Sequence, residues 1–219
     1  MNLEKEVSRQ ERDKIRVRGV AGIVLAAGEG SRMGRTKQLL PFRDRTMLEC
    51  VVDSALASSL QRVIVVLGHQ ADAIEPLLKD REVTIALNPI YGKGQSTSLK
   101  AGLRALTEET EAALFLLGDQ PLISTATINL ILAAYEACPS PIVQPVFAGK
   151  RGNPVLFSRE TFSRIEALNE DRGARSLFDE YAGRILTVPV SDPSIHLDVD
   201  TEEDYRRLLC DQNDRRGDI

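Results

Sequence analysis

The chain has 219 residues, enough for one sizeable hydrophobic core but too few for two full domains. Its 28 Lys and Arg against 32 Asp and Glu give a net charge of −4, which excludes a broad electrostatic attraction to nucleic acid or to an anionic membrane. Three widely spaced cysteines and two histidines exclude a disulfide framework and a multi-histidine or cysteine-rich zinc site, and they favour a reducing cytoplasm.

Apolar segments alternate with amphipathic segments along the first two thirds of the chain. Strands are predicted at residues 20–26, 63–67, 83–87 and 112–117. Helices are predicted at residues 47–56, 70–79, 96–106 and 124–135. Thr46 and Glu49 form a capping box before the first helix, and Pro76 must lie in a first turn or break the second. The alternating order predicts a parallel sheet between two layers of helices.

The pattern after Cys138 is less regular. Strands are predicted at residues 142–147, 155–157 and 185–190, and helices at 159–168 and after Thr201, which caps the last one. We therefore expect a Rossmann-like, three-layer α/β/α sandwich with a mainly parallel mixed sheet. The predicted single domain covers residues 19–210, between a polar extension at 1–18 and a polar tail at 211–219. No apolar run approaches the ~20 residues needed to cross a bilayer.

A glycine-rich, basic segment follows the first strand. Residues 25–41 read L-A-A-G-E-G-S-R-M-G-R-T-K-Q-L-L-P. In such sheets ligands bind beyond the carboxyl ends of the strands, and small residues let backbone N–H groups approach phosphate oxygens. Arg32, Arg35 and Lys37 can add positive charge. The spacing fits neither the dinucleotide fingerprint nor a Walker A loop, so the residues alone leave open another class of phosphate loop or a plain glycine turn.

Acidic residues follow two later strands. Asp119 comes directly after the fourth strand in G-D-Q-P-L, at the same sheet edge as the glycine loop. Mg²⁺ bound to a nucleotide needs only one or two protein carboxylates, and Asp119 suits that need, although an Asp that only orders a turn is the alternative. Asp198 and Asp200 share one face of an extended segment, and Asp200 is alternatively a cap for the last helix.

A helix start and two later segments are candidates for ligand recognition. Gly94, Gln95 and Ser96 lead into a helix, whose free N–H groups and hydroxyl can hold a base edge or a ribose, and an ordinary cap is the alternative. Residues 150–157 contain G-N-P-V-L-F, in which Asn153 can both donate and accept hydrogen bonds. Residues 171–175 read D-R-G-A-R, for which surface salt bridges are the alternative explanation.

The motif L-A-A-G-x-x-S-R-M-G-x-x-K-x-L-L-P, followed by G-D-Q-P-L, closely resembles the MobA-like nucleotidyltransferases and their molybdenum cofactor cytidylyltransferase branch. The resemblance covers about residues 21–209. It implies a nucleotide-diphospho-sugar transferase-like fold and transfer of a nucleoside monophosphate from a triphosphate to a phosphorylated acceptor, with release of pyrophosphate. The A-A-G sequence favours CTP, and molybdopterin is then the expected acceptor. A molybdoenzyme that receives the product is a further implied partner, with neither nucleic acid nor membrane.

The resemblance also implies roles for individual residues. The catalytic residues would be Arg32, Lys37 and Asp119, with Mg²⁺, or alternatively Mn²⁺, held by Asp119 and one of Asp198 and Asp200. The nucleotide-binding residues would be Leu25, Ala26, Ala27, Gly28, Gly30, Ser31, Arg32, Gly34, Lys37, Gly94, Gln95 and Ser96. The acceptor-binding residues would be Gln120, Pro121, Gly152, Asn153, Pro154 and Arg175.

Two alternatives stay open at this point. Many members of the family carry histidine where this chain has Asn153, which keeps open another cytidylyltransferase or a sugar-phosphate nucleotidylyltransferase of the same fold. The other alternative is a non-catalytic nucleotide-binding chaperone that hands cofactor to a molybdoenzyme. The presence of Arg32, Lys37 and Asp119 together argues against it, since binding alone would not demand all three.

Overall fold

The computed structural model describes residues 17–29, 33–168 and 174–214, without the side chains of Arg18, Arg175 and residues 211–214. The strands are β1 (Val17–Ala26), β2 (Pro41–Phe42), β3 (Arg45–Thr46), β4 (Leu60–Leu67), β5 (Val83–Leu87), β6 (Ala112–Leu117), β7 (Ile142–Phe147), β8 (Lys150–Arg151), β9 (Val155–Ser158) and β10 (Ile185–Pro189). The helices are α1 (Met47–Leu56), α2 (Ala71–Ile74), α3 (Gln95–Arg104), α4 (Thr125–Ala137), α5 (Phe162–Glu166), α6 (Arg175–Glu180) and α7 (Glu202–Asp214).

The main sheet is mixed and mostly parallel, as the sequence predicts. Its strand order is β10-β7-β9-β6-β1-β4-β5, and β8 pairs with β7. Strands β6, β1, β4 and β5 are parallel to one another, whereas β9 runs antiparallel between β6 and β7. In the centre, Leu25 of β1 lies opposite Leu117 of β6 and Val66 of β4. The carboxyl ends of these three strands therefore lie together at one edge of the sheet.

Helices cover both faces of this sheet, which confirms the three-layer α/β/α sandwich. One apolar cluster joins the sheet to α1 and α4 through buried residues such as Leu48, Val52 and Ile128. A second cluster, on the opposite face, joins the sheet to α3, α5 and α6 through Leu99, Ile165 and Leu177. Since each fully buried Leu, Ile or Val contributes roughly 1.5–3 kcal/mol, the two clusters make the sheet a rigid platform for the loops at its edge.

A third, smaller cluster attaches α7 to the hairpin formed by β2 and β3. It contains Leu40, Phe42, Met47, Cys50, Val199, Tyr205 and Leu208. The Tyr205 hydroxyl also donates to the Pro41 carbonyl oxygen over 2.6 Å. This packing holds the segment that contains Asp198 and Asp200 beside the segment that follows the glycine loop.

Both predicted helix caps are present. The Thr46 and Glu49 pair bonds reciprocally, with Thr46 N donating to Glu49 Oε2 (2.8 Å) and Glu49 N donating to Thr46 Oγ1 (3.3 Å). Thr201 caps α7, because its Oγ1 accepts from Asp204 N (3.1 Å) while its own N–H donates to Asp204 Oδ2 (2.9 Å). The alternative role of Asp200 as the cap of that helix is therefore wrong.

The structure differs from the predicted elements in a few places. The helix predicted at 70–79 is α2 followed by a 3₁₀ turn (Glu75–Leu78), because Pro76 lacks the N–H that a continued α-helix would use. The helix predicted at 159–168 is likewise a 3₁₀ turn followed by α5. Strand β1 begins at Val17 and α7 ends at Asp214, beyond the predicted limits of 19 and 210. Within the described residues, no helix combines the length and apolar character needed to span a membrane.

Candidate active site

The glycine loop and the turn after β6 begin side by side. Gly118 N donates to the Leu25 carbonyl oxygen over 3.0 Å. A Cβ placed on Gly118 would lie 3.0 Å from that oxygen and 3.3 Å from Ala26 Cβ. Only glycine permits this approach without a shift of the backbone, and the close contact places Asp119 next to Ala27 and Gly28.

Lys37 connects the glycine-rich segment to both acidic segments. It lies in a 3₁₀ turn (Lys37–Leu39), and the residue is only 9% exposed. Its Nζ lies 3.4 Å from Asp119 Oδ2 and donates a short hydrogen bond to Asp200 Oδ1. The structure therefore brings Lys37, Asp119 and Asp200 to one point, although they are far apart in sequence. Arg32, the third predicted catalytic residue, lies outside the described residues.

Asp198 belongs to the same acidic site but has a different partner. Its Oδ1 accepts a 2.6 Å hydrogen bond from Gln120 Nε2, which also donates to the Ile195 carbonyl oxygen at 3.3 Å. Val199 N donates to the Asp119 carbonyl oxygen over 3.1 Å. These bonds fasten the Asp198–Asp200 segment to the turn that follows β6.

The pKa values of Asp119 and Asp198 are both raised above the ordinary value for aspartate. Burial raises the pKa of Asp119 above its ordinary value, and the nearby charge of Lys37 opposes that rise. Burial and then the negative charge of Asp119 raise the pKa of Asp198 to about 6. The site therefore concentrates negative charge, a setting in which an additional cation would be stabilising.

The carboxylates do not form a complete metal cage by themselves. Among the side chains that the structure describes, no group of three or more His, Cys, Asp and Glu is arranged to hold a metal ion. A cation here would rely on two carboxylates together with oxygens of a ligand, which is how Mg²⁺ is commonly held beside phosphates.

A first cavity of about 380 Å³ opens directly above Asp119. Its walls combine the start of the glycine loop, the turn before α3 and the first turn of α3 itself. The lining residues are Leu25, Ala27, Gly28, Glu29, Gln38, Tyr91, Gly92, Gly94, Gln95, Ser98, Leu117 and Asp119. The cavity thus offers backbone groups and small side chains beside the partly exposed carboxylate of Asp119 and the carboxylate of Glu29.

A second cavity of about 330 Å³ adjoins the first and shares Leu25, Gln95 and Leu117 with it. Its other lining residues are Leu99, Phe115, Gln144, Asn153, Val155, Phe157, Ala174, Phe178 and Asp198. Phe157 packs against Phe115 and Phe178, with ring centroids 5.8 Å and 6.1 Å apart. The second cavity therefore has an aromatic side, amide groups and one carboxylate.

Lys37 contacts the acidic residues and does not line the first cavity, and the other predicted nucleotide-binding residues fall into three groups. Leu25, Ala27, Gly28, Gly94 and Gln95 line the first cavity. Ala26 and Ser96 are fully buried and do not line it, and Gly34 has a left-handed φ of 64° in the loop. Gly30 and Ser31 lie outside the described residues, as Arg32 does.

The predicted acceptor-binding residues are mostly buried around the second cavity. Asn153 lines it, whereas Gln120, Pro121, Gly152 and Pro154 are buried and do not. Gln120 is 1% exposed and orients Asp198. The side chain of Arg175 lies outside the described part of the chain.

Several residues of the cavity walls are not among those that the sequence motifs predict. Ser98 follows Gln95 by three residues in a helix, so helical spacing predicts that the two share a face, and this signal was available. Tyr91, Glu29 and Gln38 flank predicted residues but carry no distinguishing pattern. Phe178 reaches the second cavity from a segment with no motif that points to a site.

Comparisons with known proteins agree with this architecture. Residues 22–185 match the model of the MobA-like NTP transferase domain. Nicotine blue oxidoreductase from Paenarthrobacter nicotinovorans is 32% identical over 202 residues, 87% of this chain and 96% of that protein. The molybdenum cofactor cytidylyltransferase of Escherichia coli K12 is 31% identical over 188 residues, 84% of this chain and 92% of that protein.

A solved structure gives the same result. The manganese complex of Rv0371C from Mycobacterium tuberculosis H37Rv superposes with a TM-score of 0.75 and 32% identity, over 87% of this chain and 97% of that one. The fold, the two cavities at the carboxyl edge of the sheet and these similarities lead to one assignment. The chain is a nucleotidyltransferase that belongs to the MobA-like NTP transferase family.

Proposed function

We propose that the protein is a CTP:molybdopterin cytidylyltransferase, which forms molybdopterin cytosine dinucleotide and pyrophosphate. The observation that carries the proposal is the pair of adjoining cavities, with Asp119 in the wall of one and Asp198 in the wall of the other. Two cavities that meet at one acidic site suit two substrates that react with each other. The 31% identity to the molybdenum cofactor cytidylyltransferase supports this substrate pair, and Ala27 and Gly28 in the cavity wall favour CTP.

The reaction is an in-line displacement at the α-phosphorus of CTP. A phosphate oxygen of the acceptor forms a new bond to that phosphorus, and the bond to the oxygen that bridges to the β-phosphate breaks. Pyrophosphate leaves with the electron pair of the broken bond. The protein contributes by holding both reactants in line and by offsetting the negative charge that develops on the leaving group.

Each cavity would hold one of the two substrates. The first cavity would hold CTP with its triphosphate over the glycine loop, where Arg32 and Lys37 would offset the charge of the departing pyrophosphate. The second cavity would hold molybdopterin, whose flat ring suits the side formed by Phe157 and Phe178. Asn153 and Gln144 supply amides for polar atoms at the ring edge.

A divalent cation fits the acidic site. Asp119 and Asp200 present hard oxygen ligands, and both carboxylates already face one positive charge, the Lys37 ammonium that lies between them. We assign these two residues to hold the ion, and the manganese complex of Rv0371C supports a divalent metal. Bound there, Mg²⁺ or Mn²⁺ would supply neutralisation of phosphate charge. Lys37 would then turn from the carboxylates towards the phosphates.

Two alternatives have a specific observation in their favour. The presence of Asn153 in the second cavity favours another phosphorylated acceptor, such as a sugar phosphate, with the same chemistry at the α-phosphorus. The 32% identity to nicotine blue oxidoreductase favours an oxidoreductase that acts on a dye such as nicotine blue. The first alternative changes only the acceptor, whereas the second changes the reaction.

Pyrophosphate release separates these functions. The chain would be incubated with each of the four triphosphates and Mg²⁺, either alone, with molybdopterin or with a sugar phosphate, while pyrophosphate is followed. A separate incubation with nicotine blue and NADPH or NADH would test for reduction of the dye. The proposal predicts release with CTP that depends on molybdopterin and is lost in Asp119→Asn. Release only with a sugar phosphate would favour the first alternative. Oxidation of NADPH or NADH by nicotine blue, without pyrophosphate, would favour the oxidoreductase, and tight CTP binding without any turnover would favour a chaperone.

A further inference from the structure

Arg35 lies two residues before Lys37, but its side chain has different neighbours. Its Nη2 donates to Glu202 Oε2 over 2.6 Å, and its Cζ lies over the Tyr205 ring, 5.5 Å from the centroid. Both partners belong to α7. Arg35 is not among the residues that line either cavity. The positive charge that the sequence offers to a phosphate at this position therefore faces α7 instead.

The Glu202 carboxylate has a partner on each oxygen. Oε2 accepts from Arg35, and Arg206 Nε, one turn further along α7, lies 3.9 Å from Oε1. Glu202 follows Asp200 by two positions, and Asp200 accepts a hydrogen bond from Lys37. The pairs Arg35–Glu202 and Lys37–Asp200 therefore join the same two segments, two residues apart on either side.

The carboxyl end of the segment that contains Lys37 is fixed by other contacts. Leu40 packs in the third cluster, and its carbonyl oxygen accepts from Met47 N over 2.9 Å. The Pro41 carbonyl oxygen accepts from the Tyr205 hydroxyl over 2.6 Å. Tyr205 thus contacts both ends of the segment, Pro41 through its hydroxyl and Arg35 through the face of its ring.

The side chains on either side of Lys37 hold it only weakly. Thr36 Oγ1 and Gln38 Oε1 are buried and have no hydrogen-bond partner among the described residues. Gln38 Nε2 donates to the Gly28 carbonyl oxygen at 3.4 Å, which is long for a hydrogen bond. Arg35 therefore supplies the polar contacts that tie the amino end of the segment to α7.

We propose that Arg35 is a positioning residue for the transfer reaction. Through its contacts with α7 it holds Lys37 beside the acidic site. An exposed ion pair stabilises little by itself, and 48% of the Arg35 side chain and 46% of the Glu202 side chain are exposed. The cation–π contact adds to the ion pair, and Tyr205 is 8% exposed and fixed by packing. The inference rests on the proposed function in one respect, namely that Lys37 stabilises the departing pyrophosphate.

Direct binding of the triphosphate by Arg35 is the competing role, and Glu202→Gln distinguishes the two. If Arg35 positions Lys37, loss of the ion pair loosens the segment and lowers kcat. If Arg35 binds phosphate, loss of the ion pair frees the guanidinium for the ligand. CTP would then bind at least as tightly as in the wild type, and kcat would not fall.

The first measurement is pyrophosphate release by the full chain with CTP, molybdopterin and Mg²⁺, together with titration calorimetry of CTP. Glu202→Gln should lower kcat about twofold to fivefold and Arg35→Met about threefold to tenfold, with the Kd of CTP within about twofold of the wild type. Glu203→Gln is the matched control, because Glu203 lies in the same first turn of α7, pairs with Arg207 and should keep full kcat.

The second measurement needs no substrate. Lys37 is 9% exposed, so acetic anhydride should acetylate it slowly in the wild type, and mass spectrometry of the digested chain gives the rate relative to exposed Lys79. Arg35→Met and Glu202→Gln should raise the relative rate at Lys37 about threefold, and Glu203→Gln should leave it unchanged. In a Lys37→Met background, Arg35→Met should change kcat by less than about 1.5-fold, because a positioning residue acts through the group that it positions.

The outcomes separate this inference from the proposed function. An unchanged acetylation rate in both Arg35→Met and Glu202→Gln overturns the inference, and so does a kcat of Glu202→Gln that equals or exceeds that of the wild type. An effect of Arg35→Met that persists without Lys37, or a matching rise in the Kd of CTP, assigns Arg35 to the triphosphate and also overturns it. Absence of pyrophosphate release by the wild type with every acceptor contradicts the proposed function, and the acetylation rates then decide the inference alone.

Discussion

Lys37 Nζ lies 3.4 Å from Asp119 Oδ2, although the two residues are 82 positions apart. Lys37 follows β1 and Asp119 follows β6, and these strands are parallel neighbours in the centre of the sheet. The contact therefore results from the topology, which brings both segments to one edge. It also places a buried ammonium at the junction that we propose for the triphosphate and the metal.

Replacing Lys37 tests its proposed part in transfer. Lys37→Met should lower kcat for pyrophosphate release about 10²–10³-fold, because a charge that stabilises the leaving group is lost. The substitution also removes the ammonium that Asp119 and Asp200 share. Lys79→Met, at an exposed position, is the matched control and should keep full turnover. Steady-state kinetics that give equal kcat values for Lys37→Met and the wild type would remove Lys37 from the mechanism.

Gln120 should act through Asp198. Gln120→Leu removes the amide that donates to Asp198 Oδ1 and to the Ile195 carbonyl oxygen, although that carbonyl oxygen keeps its bond from Asn153 N. Since the lost hydrogen bond to Asp198 comes from a buried side chain, the free energy of unfolding should fall by about 1 kcal/mol. The substitution should also raise KM for the acceptor more than KM for CTP, since Asp198 lines only the second cavity. Urea unfolding measures the change in stability, and steady-state kinetics in which each substrate is varied in turn measure the two KM values. Equal changes in both KM values would show that Gln120 has a purely structural role.

Gly118 should tolerate no larger side chain. Gly118→Ala brings a Cβ within 3.0 Å of the Leu25 carbonyl oxygen, and the backbone there can shift only by separating β1 from the turn after β6. We expect a loss of about 1–3 kcal/mol in the free energy of unfolding. Gly183→Ala is the matched control, because a Cβ there meets nothing within 4 Å. Denaturant midpoints that are equal for the two variants would contradict the close approach.

Asp192 should make the free energy of unfolding depend on pH in the acidic range. Burial by itself would raise the pKa of Asp192, but hydrogen bonds from Ser194, Thr127 and Ser124 outweigh it and hold the pKa below its ordinary value. The charged form is thus stabilised in the folded protein, and this contribution is present above the unfolded pKa of about 3.9 and is lost as pH falls through the folded pKa.

The variant Asp192→Asn isolates that contribution. It should reduce the free energy of unfolding by about 1 kcal/mol at pH 7, and the difference from the wild type should shrink below about pH 4. Urea unfolding at pH 7 and pH 3.5 gives both values, with the exposed Asp80→Asn as control. A difference that stays constant across this range would show that the carboxylate charge is not responsible.

Much of the fold could be predicted because the core strands are apolar runs with clear boundaries. The β6 segment is apolar at every position, and the structure buries it in the centre of the sheet. The antiparallel insertion of β9 between β6 and β7 could not be predicted, since strand order depends on packing between segments that no local pattern records. Strands of two residues, such as β8, are likewise too short to produce a periodicity.

The site was predictable where a motif and a strand end coincide, as at Gly28 and Asp119. The site was less predictable where the role of a residue depends on whether its side chain is buried in the core or lines a cavity. Ser96 and Ser98 have the same chemistry and lie two positions apart, but α3 turns Ser96 into the core and Ser98 into the first cavity. The partners of Asp198 and Asp200 could not be read from their alternation either, because Gln120 and Lys37 reach them from other segments.

We propose that the protein moves a cytidylyl group from CTP to molybdopterin at the junction of the two cavities. The most direct measurement uses CTP labelled with ³²P at the α-phosphate, Mg²⁺ and molybdopterin, followed by chromatographic separation of the products. We expect label in a molybdopterin–cytidine dinucleotide with the wild type and little with Asp119→Asn. Label that stays in CTP, or that appears only as CMP, would contradict it.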